Sequence, residues 1–214
     1  MDVGKMRIPK HIGIIPDGNR RWASERGLEK GDGYTHGLHP GVGALRMAKA
    51  CGVSELTFYG FTVDNCRRPV QQVKAFQNAC VEAVELTCAE GDVSVQVVGD
   101  ATSTFFPDEL RPYLTPQTFG EPKIKVNFLV NYGWKWDLRG INGGHVTKDL
   151  HSREISRMDM IIRWGGMRRL SGFLPVQSVY SDFFVVDSLW PDYQDQHITD
   201  AINWYQTQDV TLGG

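Results

Sequence analysis

The sequence predicts one α/β domain in which a mostly parallel sheet is flanked by helices. Short β-branched segments alternate with helical patterns along the whole 214-residue chain, and no linker divides them. These segments are almost continuously apolar, which is typical of parallel strands that are covered on both faces. We therefore predict a single domain over residues 1–214, with strands at residues 11–15, 56–61, 94–98, 124–130, 158–162 and 183–186.

Two segments between the strands, residues 43–51 and 72–89, have apolar residues at helical spacing. Residues 101–122 are rich in proline and phenylalanine and predict a surface excursion with a short helix, and the polar residues 140–157 predict a helix near Asp149. The helix over residues 72–89 carries one stripe, which we assign first to the core and second to the wall of an apolar cavity: Val73, Phe76, Cys80, Ala83, Val84 and Thr87.

Composition and charge argue against several classes of function. A formal net charge of −2 does not suit a nucleic-acid binder that works by neutralising the backbone. No segment approaches the roughly 18 to 20 apolar residues that cross a bilayer, and residues 1–10 lack the apolar core of a signal peptide. The four cysteines have no metal-ligand spacing, so we expect reduced thiols and a cytoplasmic protein.

Polar residues follow five of the predicted strands at the point where each strand ends. Open parallel sheets bind their ligands outside the carboxyl ends of the strands. Convergence of polar side chains at that edge therefore indicates a binding site. The segments concerned are residues 16–22, 62–69, 99–100, 131–133 and 163–171.

The residue types at this edge indicate anion binding. Residues 17–21 read Asp-Gly-Asn-Arg-Arg and combine a flexible glycine, a helix start and two guanidinium groups, which suit phosphate. Arg163, Arg169 and Ser171 form a second polar and cationic set, so we predict two phosphate-bearing groups. A carboxylate at position 17 among these cations suits a Mg²⁺ ligand between phosphate oxygens.

Each of these residues also has a structural explanation. Asp17 could cap the helix that follows it, and the arginine pairs at 20–21 and 168–169 could form a solvated face. Their joint placement at strand ends favours the phosphate site. The sequence has no GxxxxGK(S/T) motif, and no GxGxxG motif follows a strand, so nucleotide binding of either common kind is not supported.

Three motifs, in this order, resemble the undecaprenyl diphosphate synthase or cis-prenyltransferase family. Residues 11–23 read HIGIIPDGNRRWA and are similar to the first motif of the family. Residues 59–69 read YGFTVDNCRRP and are similar to its second motif. Residues 161–192 are similar to its C-terminal motif, with Ile162-Arg163, Gly165-Gly166, Arg169-Leu170-Ser171 and Leu189-Trp190-Pro191-Asp192.

The resemblance implies a homodimeric prenyltransferase with an apolar tunnel beside its diphosphate site. It implies that Asp17 binds Mg²⁺ and promotes the loss of diphosphate from an allylic donor, and that Asn65 lies near the reacting centre and helps to take the final proton. By the same resemblance the donor diphosphate is held by Gly18, Asn19, Arg20 and Arg21, the second diphosphate by Arg163, Arg169 and Ser171, and the prenyl chains contact Trp22 and Phe61.

Several positions depart from the family pattern. Tyr34 stands where the family usually has His, with His36 two residues on, and Lys30 replaces a neighbouring Arg. We retain these three residues and Arg68 as substrate-binding candidates. Asp182 aligns with a metal-binding Glu and is the second metal candidate. Most further departures fall on the side of the second substrate: Cys66, Trp134, Met167, Gly172 and a chain end, residues 206–214, without the arginines of the family.

A retained donor loop beside a remodelled acceptor side predicts an unusual acceptor and a short product. Residues 165–168 and 173–175 are similar to the branch that makes lavandulyl-type products. That branch couples a donor such as dimethylallyl or geranyl diphosphate head-to-middle with dimethylallyl diphosphate as acceptor. Two alternatives stay open: regular head-to-tail elongation with isopentenyl diphosphate, and a non-catalytic binding subunit. A nucleotide- or sugar-phosphate-binding protein fits the strand edge but not the three motifs.

Overall fold

The fold is built on one central sheet. A computed structural model describes residues 7–141 and 146–209, and within these ranges it has seven strands. Across the sheet their order is fourth, third, fifth, second, first, sixth, seventh, and all neighbours are parallel except the third and fourth. The predicted fold class is thereby confirmed. The strands are β1 (His11–Ile15), β2 (Glu55–Tyr59), β3 (Val93–Val98), β4 (Gln117–Phe119), β5 (Ile124–Leu129), β6 (Met160–Arg163) and β7 (Asp182–Val185).

Strand β4 is the one strand that the sequence analysis missed. It has three residues, lies at the edge of the sheet and pairs antiparallel with β3 through Val93 and Phe119. A strand this short shows no readable alternation, and it lies within the proline-rich segment that predicted an irregular excursion. The other six strands are present with ends that differ from the prediction by no more than two residues.

Helices cover the sheet, and the predicted ones are present, whereas the helices Asp32–His36, Trp134–Leu138 and Asp195–Gln206 were not predicted. Residues 43–50 and 72–89 lie in longer helices, the short helix in residues 101–122 is the 3-10 segment Asp108–Leu114, and the helix near Asp149 is present. Within the described ranges, no helix combines the length and apolar character needed to cross a bilayer. The α-helices are α1 (Asn19–Glu25), α2 (Asp32–His36), α3 (Leu38–Ala50), α4 (Val70–Ala89), α5 (Trp134–Leu138), α6 (Val146–Asp149) and α7 (Asp195–Gln206).

Alternate residues of the central strands face two separate apolar clusters. Ile12 and Ile14 of β1 belong to the cluster that also contains buried residues of α3, α4 and α7. Ile15 belongs to a second cluster with Phe173. A Cβ at Gly13 would lie 2.5 Å from Cε1 of Phe173, so only glycine lets this ring pack on the strand. Apolar side chains fill most of both faces, and the buried polar residues Thr57 and Asn127 within β2 and β5 bond to each other.

Candidate active site

A polar cavity lies at the carboxyl ends of β1, β2 and β6. Most of the predicted site residues line it, which supports the interpretation of the sheet edge as a site. The predicted residues that line this cavity are Asp17, Gly18, Asn19, Arg20, Arg21, Tyr34, Asn65, Arg68, Arg163, Arg169 and Ser171. Tyr59, Thr62 and Asp64 also line it and were not predicted as site residues.

The loop after β1 places Asp17 in this cavity. Gly18 has a φ of 113° and precedes the first turn of α1, with no side-chain cap hydrogen bond at that helix start. A Cβ at Gly18 would lie 2.9 Å from Cδ2 of Leu189, so both backbone conformation and space require glycine. Because Gly18 occupies the N-cap position, Asp17 does not cap α1. The explanation of Asp17 as a helix cap is thereby excluded.

Two guanidinium groups hold the Asp17 carboxylate. Nη2 of Arg163 donates to its Oδ2 at 2.7 Å, and Nη2 of Arg21 lies 3.5 Å from its Oδ1. Arg21 is itself fixed by a 3.0 Å hydrogen bond to the carbonyl of Gly165. The side chain of Asp17 remains 32% exposed, whereas that of Arg163 is only 4% exposed. The carboxylate is therefore oriented from one side and open to the cavity on the other.

Arg163 also holds the segment after β6, residues 169–172, which we call the acceptor loop. Its Nη1 donates to the carbonyl of Arg169 and, at 3.1 Å, to Oγ of Ser171. On the other side of the loop, the hydroxyl of Tyr59 donates to the carbonyl of Ser171 at 2.7 Å. Burial raises the pKa of Tyr59, so its hydroxyl stays protonated as a donor. Tyr59 ends β2 and is the first residue of the second motif, but it was not assigned a role because the strand pattern alone does not distinguish it from the apolar residues before it.

The second motif places Arg68 and Asn65 at the mouth of the cavity. Nη1 of Arg68 donates to the hydroxyl of Tyr34 at 2.7 Å, and the ring of Tyr34 stacks on Phe76 with centroids 4.3 Å apart. Oδ1 of Asn65 accepts the backbone N–H of Thr62 at 2.9 Å in a reciprocal capping arrangement. One lone pair of this carbonyl is thus used, while the NH2 group of the Asn65 side chain can only donate.

An apolar cavity adjoins the polar cavity and shares Pro16, Asn19, Tyr34, Gly60 and Phe76 with it. One wall is α4, along which residues 76 and 87 both line the cavity, a span of about 16 Å at the helical rise. Both readings of the α4 stripe are confirmed, because Val73, Cys80 and Val84 belong to the buried core. Four members of the stripe also line the cavity: Phe76, Cys80, Ala83 and Thr87. Burial raises the pKa of Cys80 to about 12, so its thiol is a neutral wall group.

Four predicted substrate-binding residues lie outside both cavities. Nε1 of Trp22 donates to Asp192 at 2.7 Å, and the ring of Trp22 lies 4.5 Å from that of His36 on the outer side of α1. Lys30 is exposed. Phe61 is fully buried and meets the ring of Phe76 edge-on at 5.4 Å, so it supports the cavity wall from behind.

Asp182 does not join Asp17 within this chain. Asp182 begins β7 and pairs with Met160, whereas Arg163, the partner of Asp17, lies three residues further along β6. At the rise of a parallel strand this separation is about 10 Å. Burial raises the pKa of Asp182, consistent with a position in the packed amino edge of the sheet. A shared metal for the two carboxylates is therefore not supported by the fold of one chain.

The donor set around Asp17 fits Mg²⁺ that is shared with phosphate. The described parts of the chain contain no group of three His, Cys, Asp or Glu side chains that could hold a metal by themselves. Mg²⁺ is commonly held by one or two carboxylates, with the remaining positions filled by water and substrate phosphate. Asp17 supplies one such carboxylate beside cationic groups that suit phosphate oxygens.

The fold and the site together define an α/β protein with a cation-lined cavity that adjoins an apolar one at the carboxyl edge of its sheet. The family model for putative undecaprenyl diphosphate synthase matches residues 15–213, and the chain belongs to this family. It is 30% identical over 230 residues to an isoprenyl transferase of Porphyromonas gingivalis, a match that covers 96% of this chain and 90% of the relative.

Other matches agree on the family and the fold. A ditrans,polycis-undecaprenyl-diphosphate synthase ((2E,6E)-farnesyl-diphosphate specific) of Haemophilus ducreyi is 28% identical over 231 residues, covering 97% of this chain and 95% of the relative. The crystal structure of lavandulyl diphosphate synthase from Lavandula x intermedia, in complex with dimethylallyl diphosphate, matches with a TM-score of 0.85 at 20% identity. It covers 97% of this chain and 99% of that chain. At this identity the likeness shows the fold alone.

Proposed function

We propose that this prenyltransferase moves a short allylic group from dimethylallyl or geranyl diphosphate to dimethylallyl diphosphate, by head-to-middle coupling. The observation that carries the prenyl transfer is the direct junction of a cation-lined cavity with an apolar one, through Tyr34 and Phe76 among others. A diphosphate in the first cavity would have its hydrocarbon chain in the second. Whether the apolar cavity continues as a tunnel stays a prediction.

The donor diphosphate is assigned to the Asp17 side of the polar cavity. Arg20 and Arg21 line this side, and Nε of Arg20 is buried without a hydrogen-bond partner among the described residues. Mg²⁺ bound here would neutralise the diphosphate and make it a better leaving group. Arg21 and Arg163 hold the Asp17 carboxylate in a fixed orientation, which lowers the reorganisation needed when the charge separates.

The acceptor diphosphate is assigned to Arg169, Ser171 and Arg163. Arg169 is exposed and lines the cavity, while Arg163 supplies a buried charge behind it. The Nε of Arg163 is buried and has no hydrogen-bond partner among the described residues. This indicates an incomplete polar environment that an anion would complete.

The proposed reaction balances without any further reactant. The C1–O bond of the donor breaks, pyrophosphate leaves with the electron pair, and the donor C1 bonds to C2 of the acceptor. The positive charge then lies on C3 of the acceptor, and a methyl proton passes to an oxygen of the departing pyrophosphate. Asn65 would orient this pyrophosphate by donating a hydrogen bond, since its carbonyl already accepts the Thr62 N–H. The apolar walls exclude water that would quench the cation.

A regular head-to-tail elongation with isopentenyl diphosphate is the alternative that the family membership favours. The head-to-middle proposal is supported by the remodelled acceptor side, where Met167 and Gly172 replace polar residues of the family pattern and Trp134 adds bulk. Mg²⁺ dependence, a homodimer and a cytoplasmic location are part of the proposal.

A product assay tests the proposal. Dimethylallyl, geranyl and farnesyl diphosphates are each incubated with Mg²⁺, with and without isopentenyl diphosphate, and the dephosphorylated products are identified by gas chromatography and mass spectrometry. We expect a branched ten-carbon product from dimethylallyl diphosphate alone. A linear product that forms only with isopentenyl diphosphate would overturn the coupling type, and tight binding without any product would favour the non-catalytic subunit.

The division into two diphosphate sites is tested with two neighbouring arginines. Arg169→Ala is expected to raise the KM of the acceptor about tenfold, the scale of one charge-assisted contact, with little change in the KM of the donor. Arg168→Ala is the matched control, because Arg168 is exposed and does not line the polar cavity. Equal losses for donor and acceptor in the Arg169 variant would show that the division is wrong.

A further inference from the structure

We propose that the turn formed by residues 132–134 braces the acceptor loop and that Trp134 is a positioning residue for the acceptor. This inference rests on the proposed function, since it concerns the same site. It assigns a role to a partly exposed tryptophan that does not line the polar cavity. The turn follows β5 and lies beside the polar cavity, in an outer cavity that shares Tyr59, Thr62, Asp64 and Ser171 with it.

One side of the turn contacts the segment that carries Asn65. Tyr132 forms an isolated parallel bridge with Thr62, and the N–H of Val63 donates to the carbonyl of Tyr132 at 3.0 Å. A Cβ at Gly133 would lie 2.8 Å from Cγ2 of Val63, so the Val63 side chain packs against the bare Cα of Gly133. The turn is therefore bonded to the 3-10 segment that carries Asn65.

The other side of the turn contacts the acceptor loop. A Cβ at Gly172 would lie 2.7 Å from Cδ1 of Trp134 and 3.5 Å from its Cγ and Nε1. The indole thus packs on the bare Cα of Gly172. Gly172 has a φ of 81°, and Ser171 before it has a φ of 53°, which is uncommon outside glycine. Packing by Trp134 would help to hold two successive left-handed residues that the loop would not adopt by preference.

A buried carboxylate makes the turn rigid. The hydroxyl of Tyr132 donates to Oδ2 of Asp137 at 2.8 Å, and Asp137 is buried. The same carboxylate accepts the N–H of Ser152 at 2.8 Å and its hydroxyl at 2.7 Å. Tyr132 also meets the ring of Tyr59 edge-on, with centroids 6.3 Å apart. Trp134 therefore projects from a fixed base.

Displacement of the acceptor loop would act on the acceptor in particular. The hydroxyl of Ser171 accepts a hydrogen bond from Arg163, and its carbonyl accepts one from the hydroxyl of Tyr59. Ser171 therefore connects the loop to the polar cavity. The donor residues Asp17 and Arg21 are held by Arg163 and by the Gly165 carbonyl, and they line the polar cavity, whereas Trp134 lines the outer one. Removal of the indole would loosen Ser171 and leave the donor side in place.

The experiment combines amide hydrogen exchange with kinetics on Trp134→Ala, Trp134→Phe and the matched control Trp204→Phe. Trp204 packs on Phe184 at 5.3 Å and lines none of the three cavities. We expect Trp134→Ala to speed exchange in a peptide that covers residues 168–174 by about tenfold, and to raise the acceptor KM by a similar factor. The donor KM should stay within twofold, Trp134→Phe should be intermediate, and Trp204→Phe should change neither quantity.

A double-mutant cycle tests whether Trp134 acts through Gly172. Gly172→Ala alone should impair the acceptor KM because its Cβ meets the indole, and this effect should shrink in the Trp134→Ala background, leaving only the backbone strain. Additive effects would overturn the coupling.

Exchange and kinetics separate the failure of this inference from that of the proposed function. Unchanged exchange of residues 168–174 in Trp134→Ala would overturn the brace, whatever the products are. Faster exchange with an unchanged acceptor KM would overturn the role in acceptor binding. Kinetics are measured with geranyl diphosphate constant and the five-carbon acceptor varied, using the acceptor that the wild type turns over. An absence of turnover in the wild type would refute the proposed function. The amide exchange of residues 168–174 would still test whether the turn braces the acceptor loop.

Discussion

Asp17→Asn removes one charge from the centre of the site and should affect stability and turnover separately. Arg163 is 4% exposed and loses its ionised partner, whereas Asp17 itself is 32% exposed. Loss of one partner of a fully buried pair costs about 3 to 5 kcal/mol. Because this pair reaches solvent through Asp17, we expect roughly 1 to 3 kcal/mol. For a chain of this size this corresponds to a fall in Tm of roughly 2 to 12 °C.

Turnover should fall much further than stability. If Asp17 orients a metal on the leaving diphosphate, we expect a loss of at least 10² to 10³-fold, on the order seen when one preorganised charge-stabilising group is removed. Product formation is followed by gas chromatography, and the free energy of unfolding by urea titration. Inorganic pyrophosphate, added without metal, should raise the Tm of Asp17→Asn more than that of the wild type, because it offers Arg163 a new anionic partner.

The matched control is Asp92→Asn at the amino edge of the sheet. Asp92 pairs with Lys123 at 2.7 Å, and both side chains are substantially exposed. Such a pair contributes about 0 to 1 kcal/mol, so this variant should keep its Tm and its turnover. An Asp17→Asn protein with full turnover would refute the leaving-group role. One with an unchanged Tm would refute the energetic argument for the buried ion pair and leave the catalytic role to be judged by turnover.

Three further predictions follow from other parts of the site and the core. Tyr59→Phe removes the hydrogen bond to the Ser171 carbonyl and should raise the acceptor KM about 2- to 10-fold with the donor KM unchanged; an equal rise in both would contradict the assignment. Cys80→Phe fills the apolar cavity and should reduce turnover of farnesyl and geranyl diphosphates more than that of dimethylallyl diphosphate, whereas equal losses would show that the donor chain lies elsewhere. Burial lowers the pKa of His11 from 6.5, against the opposing effect of Glu55, so the unfolded chain binds more protons below pH 6.5. The free energy of unfolding from urea titration should therefore be highest above about pH 7 and should fall as the pH drops below 6.5. His11 contributes at most about 1.4 kcal/mol per pH unit to this fall, and a flat profile would contradict the prediction.

The sheet edge could be predicted from the sequence because strand ends are readable. Apolar runs identify β1 and β6. Because the carboxyl ends of parallel strands lie at the same edge of the sheet, residues 17 and 163 are expected there together. The contact between Asp17 and Arg163, at 2.7 Å, fulfils that expectation at atomic distance. The sequence could not show that one guanidinium, that of Arg163, would contact both Asp17 and the acceptor loop. That arrangement depends on rotamers and on the left-handed backbone at Ser171.

The missed and misplaced residues have two physical reasons, which are the direction of side chains on helices and the register of strands. Periodicity shows that one face of α4 is apolar, but a packed core and a cavity wall give the same stripe. Trp22 lies in the first motif, yet its position on α1 turns it outward to Asp192. Asp182 aligns with a metal-binding Glu of the family, but the parallel register with β6 places it at the amino end of β7. Register and helix rotation are tertiary outcomes that spacing alone does not fix.

Arg163 explains how the donor and acceptor sides can communicate. It is the last residue of β6, so its backbone is fixed by the sheet, and its guanidinium reaches Asp17 in one direction and Ser171 in the other. A substitution at Arg163 would therefore act on both sides of the proposed site at once, whereas the changes at Arg169 and Trp134 should act on the acceptor side.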